Sequence, residues 1–152
     1  MRRLKHVLPL LALALALNIA FPALSQTPPP RPPLRVMMCE LVDESGTGWV
    51  PEFLMFTRPS TGANAGRIEV FDPILKDLVH RPIRAVVTAD DGRSRTYGWA
   101  LARVRNHSGQ YADRLDFRLT VGKSDGSASM AVSAQGYQNV MQGHGHCASP
   151  QE

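Results

Sequence analysis

A chain of 152 residues, 43% hydrophobic and 20% charged, is long enough for one domain with a modest core and too short for several. Its formal charge of +4 is inflated by Arg2, Arg3 and Lys5; residues 26–152 hold 14 basic and 13 acidic side chains. So balanced a remainder lacks the electrostatic footprint of a nucleic-acid-binding protein, and no nucleic-acid partner is expected.

The first 25 residues have the three parts of an export signal. Met1 to His6 is a basic head, Val7 to Phe21 is an apolar run, and Ala23 and Ser25 are small residues where a signal peptidase reads. The run is shorter than the ~20 residues needed to cross a bilayer, and Pro9 and Asn18 interrupt it. Residues 1–25 are therefore expected to be a cleaved signal peptide, with no membrane span after cleavage. The mature protein is expected to be secreted or periplasmic. Residues 26–33, QTPPPRPP, carry five prolines and predict an extended spacer. A single β-domain is expected over 34–148, with a disordered tail over 149–152.

Within the domain the pattern is mostly period two. Leu34 to Val42 reads as the first strand. The turn DESGTG, residues 43–48, separates it from Trp49 to Arg58. Arg67 to Phe71 is the third strand. Asp72-Pro73 then opens one short helix, with aspartate as cap and proline in the first turn, and Pro82 ends it. Ile83 to Ala89 and Arg95 to Arg105 flank the turn DDGRS, residues 90–94. The sixth strand has the clearest signal: Leu115, Phe117, Leu119 and Val121 alternate with Arg114, Asp116, Arg118 and Thr120. Ala128 to Ala134 pairs with it as a hairpin. Gln138 to Cys147 is an eighth strand, weakened by its two glycines. Seven or eight turn-bounded strands predict an all-β fold. A small antiparallel β-barrel is favoured, because closure removes exposed edges, and a β-sandwich is the alternative. The interior is expected to include Phe53, Met55, Ile68, Val70, Val86, Leu101, Leu115, Phe117, Leu119, Met130 and Val132.

Cys39 and Cys147 are the only cysteines. They lie in the first and last strands of an exported chain, so a disulfide between them is expected. His144 and His146 lie two apart on one strand, so both imidazoles face the same way and together supply half of a tetrahedral copper or zinc site. Against this stands the ordinary reading of a solvent-exposed polar segment, in which case no cofactor is bound. Residues 81–118 hold eight arginines against four aspartates, a pattern read as the wet faces of one-sided strands with charges paired across them in preference to a surface for an anionic partner such as lipid headgroups or a polysaccharide. Trp49, Phe53, Tyr97 and Trp99 either pack the core or line a barrel-mouth pocket for a small apolar ligand. No catalytic motif is present: there is no G-x-S-x-G, H-E-x-x-H, P-loop or dinucleotide-binding glycine pattern, so no catalytic residue is assigned.

Gly46-Thr47-Gly48-Trp49-Val50-Pro51, Gly136-Tyr137-Gln138-Asn139 and the two cysteines resemble a group of uncharacterised small exported envelope proteins of Gram-negative bacteria. The resemblance implies export and an all-β domain. It brings no activity, cofactor or site residue. The expectation is a non-catalytic binding or accessory module, acting on a small apolar ligand or an envelope component, with metal binding by the His-x-His pair as the alternative.

Overall fold

Strict alternation along residues 114–121 requires a sheet with one dry face, and the chain provides it by closing on itself. The computed structural model describes residues 34–106 and 109–149, within the unit 31–152. The expected signal peptide, the spacer, residues 150–152 and His107–Ser108 lie outside the described residues. Eight strands follow in order: β1 (Leu34–Asp43), β2 (Phe53–Pro59), β3 (Ile68–Phe71), β4 (Ile83–Asp90), β5 (Ser94–Arg105), β6 (Tyr111–Gly122), β7 (Ser127–Ala134) and β8 (Val140–Ala148). Among the described residues one helix, α1 (Pro73–Leu78), sits between β3 and β4. Each strand pairs antiparallel with the next, and β8 pairs with β1, so the sheet is a closed barrel and not a sandwich.

The interior is packed. Leu115, Phe117, Leu119, Met130 and Val132 are buried on the inner faces of β6 and β7. Trp99 stacks on Phe117 with ring centres 5.3 Å apart, and Phe56 meets Trp99 edge-on at 5.7 Å. A barrel of this strand number is just wide enough to be filled by side chains, and here it is. Phe53, Met55 and Val86 differ from the sequence reading. Cys39 pairs with Leu54 and Met37 with Phe56, which puts Leu54 and Phe56 inside and Phe53 and Met55 outside. Val86 is likewise exposed. The runs Phe53–Phe56 and Val86–Val87 are continuously apolar, so alternation alone does not choose a face.

Helix α1 covers the barrel end where β3 finishes and β4 starts. The Leu75 backbone N–H donates to Asp72 Oδ1 at 2.8 Å, and Pro73 occupies the first turn. Leu75 is fully buried, and Ile74, Leu78 and Val79 pack against the core. Trp49 and Val50, from the β1–β2 loop at the same end, are also buried.

The seam between β1 and β8 is held covalently. Cys39 and Cys147 face each other across it and form a disulfide, with Cα atoms 4.0 Å apart. The glycines of β8 have a packing reason. A Cβ on Gly143 would lie 2.6 Å from Val50 Cγ1 and 2.8 Å from the Val42 carbonyl oxygen. One on Gly145 would run into the Glu40 carbonyl oxygen. The residues that weaken the strand signal are the ones that let the last strand close on the first.

Candidate functional site: the mouth opposite the helix

Because neighbouring strands run antiparallel, β1, β3, β5 and β7 begin, and β2, β4, β6 and β8 end, at the barrel mouth opposite α1. Period two then decides what points into that mouth. Arg35 shares a side with Met37 and Cys39, Arg58 with Leu54 and Phe56, and Arg95 with Tyr97 and Trp99. Arg35 and Arg58 sit directly opposite each other in the β1–β2 register. The three arginines line one depression of about 190 Å³, floored by Met37, Phe56, Ile68 and Tyr97. Phe56 and Tyr97 make ring contact at 4.9 Å. A wider, open trough of about 640 Å³ adjoins it. The trough shares Met37, Arg95, Tyr97 and Ser149 with it and is also lined by Val121, Lys123, Asp125, His146 and Ala148.

The charges at the mouth fall into two groups. Arg95 is neutralised: its Nε and Nη2 donate to Asp90 Oδ2 at 3.0 and 2.8 Å. Lys123 Nζ lies 2.6 Å from the other oxygen of the same carboxylate and also bonds the Asp91 carbonyl. Hydrogen bonds from Arg95, then Lys123, hold the Asp90 carboxyl below the usual carboxylate range. Bonds to Asp90, then Tyr97, raise the Arg95 guanidinium still higher. Arg35 and Arg58 are different. Both are exposed, and among the described residues neither has an acidic or hydrogen-bonding partner. Two like charges directly opposite on a sheet repel each other. The pair therefore presents two unneutralised positive charges beside an apolar floor.

The residues singled out in the sequence are spread over the molecule. Tyr97 lies on the mouth floor. Trp99 is buried beneath it in the core. Trp49 is at the opposite end, bordering a hollow of about 210 Å³ with Thr47, Tyr111, Tyr137 and Met141. Phe53 is on the outer face beside Glu40. His144 and His146 are on the outer face of β8, opposite Ser129 and Ser127. His144 Nδ1 lies 3.0 Å from Glu44 Oε1, and His146 Nε2 donates to the Asp125 carbonyl at 2.7 Å. Among the described residues no group of three or more His, Cys, Asp or Glu gathers as a metal site. On the outer face, Arg114 is paired with Asp116 at 2.7 Å, and Arg67 with Glu69 at 3.2 Å.

The sequence reading passed over Arg35 and Arg58 and counted Arg95 among the outer-face charges. Their signal is parity: each lies two or four residues from a core position of its own strand. Comparison with known proteins gives no matching family model, no similar curated protein and no similar solved structure.

Proposed function

We propose that this protein is an exported, non-catalytic binding module of the cell envelope, and that it takes a small ligand at the mouth opposite α1. The observation that carries the reading is the asymmetry of the barrel. One end is covered by α1 and the Trp49–Val50 loop, and the middle is filled. Each end keeps a hollow, but only the mouth opposite α1 sets charged side chains, the unpaired Arg35 and Arg58 among them, above an apolar floor; the hollow beside Trp49 has no charged residue in its lining. Small-molecule sites have that composition, mostly apolar with a few placed polar groups. The setting outside the cytoplasm is supported by the Cys39–Cys147 disulfide. Two-dimensional amide NMR of the labelled protein against a small-molecule library tests the assignment. Binders should move the amides of Met37, Phe56, Arg95 and Tyr97. Shifts gathered instead on the outer faces of β4 to β7, or at the α1 end, would overturn it.

A further inference from the structure

We infer that the ligand is a single-chain amphiphile with a carboxylate or phosphate head, and that it lies across the barrel mouth instead of threading down the axis. The inference rests on the mouth reading above and names its ligand class. The head is assigned by charge. Arg35 and Arg58 are cross-strand neighbours without an acidic partner among the described residues, whereas Arg95 and Lys123 already share Asp90. Paired guanidinium groups offer a fork of N–H donors that matches the oxygens of a carboxylate or phosphate. An anion between them replaces a repulsion with charge-assisted hydrogen bonds.

The tail is assigned by shape. Below the mouth the axis is closed by Leu54, Leu119 and Val70, all fully buried, so a chain cannot descend as it does into a hollow barrel. The space that remains runs sideways. The depression under Arg35 and Arg58 merges at Met37, Arg95, Tyr97 and Ser149 with the trough, whose lining joins Val121, Cys147 and Ala148 to Lys123, Asp125 and His146. A flexible aliphatic chain can lie sideways over the apolar part of that lining. A bare anion would leave the apolar floor unused, and a neutral apolar molecule would leave the two arginines unpaired.

Isothermal titration of the disulfide-intact protein with decanoate, decyl phosphate, decanol and inorganic phosphate tests the class. The amphiphilic anions are expected to bind about tenfold or more tighter than decanol, as one added charge-assisted contact requires. Arg58→Met and Arg35→Met should each erase that preference while circular dichroism stays native. Raised salt should weaken decanoate binding more than decanol binding. Equal affinity for decanol and decanoate would overturn the head assignment and leave the mouth reading standing. Inorganic phosphate binding as tightly as decyl phosphate would overturn the tail assignment in the same way. No binding by any of the four, together with library shifts away from the mouth, would overturn both.

Discussion

At the scale of single residues, Asp72 shows how a local rule becomes a pH dependence. It caps α1 through Oδ1, as its place before Pro73 predicts, but its Oδ2 is buried without a hydrogen-bond partner among the described residues. Desolvation raises its pKa from 3.8 to about 6, against the lowering effect of the Leu75 and Ile74 backbone N–H groups. Between those two values the folded chain binds more protons than the unfolded one. Stability therefore falls as pH rises from about 4 to about 6, and the loss persists above that. Asn keeps the capping oxygen and carries no charge. Asp72→Asn should match the wild type near pH 4 and exceed it at pH 7 by on the order of 1–3 kcal/mol in urea unfolding. A variant no more stable at pH 7 than the wild type would show that Asp72 carries no burial penalty. The cap was legible because capping is local. The burial was not, since it depends on what α1 packs against.

At the scale of elements, the strands read best where one face is wet. β6 alternates because its outer face meets solvent, and its expected inward residues are inside. β2 and β4 misled at Phe53, Met55 and Val86 because both faces carry apolar side chains there. β8 was read as a weak strand for its glycines, and the cause lies in another strand 100 residues away, which no local pattern records. Those glycines now carry a prediction. Gly145→Ala should destabilise the barrel by about 1–3 kcal/mol in urea unfolding, because the new methyl meets the Glu40 carbonyl and β1 must shift. Gly92→Ala is the control: its Cβ would meet nothing within 4 Å, so its midpoint should stay close to that of the wild type. Equal stability of the two variants would mean that the β1–β8 seam has slack. The disulfide across the same seam closes a loop of 108 residues in sequence, and chain entropy assigns about 4.7 kcal/mol to a loop of roughly that length. Seam packing and the cross-link thus act on the same closure. One shapes the folded state, and the other limits the unfolded one.

At the scale of the whole molecule, the mouth sets stability against binding. The sequence held the needed information: Arg35, Arg58 and Arg95 share parity with core residues of their own strands. What it lacked was the register that makes Arg35 and Arg58 face each other, because that depends on where the β1–β2 turn places the pairing. A domain selected for stability alone would put a neutralising or apolar residue at one of the two positions. Arg58→Met keeps a long apolar stem and removes the repulsion. Its unfolding midpoint at low salt should rise, by roughly 0.2–1 kcal/mol for a directly opposed pair. The gain should shrink in high salt, where the wild-type repulsion is screened. A bound anion should relieve the wild type in the same way, so decanoate should raise the wild-type midpoint and leave that of Arg58→Met nearly unchanged. If Arg58→Met is instead less stable at low salt, the guanidinium of Arg58 contributes a folding contact, and its unpaired charge is no sign of a ligand. If it is more stable and no longer responds to decanoate, the charge held at the mouth against the fold's own stability is the part of this barrel that recognises something outside it.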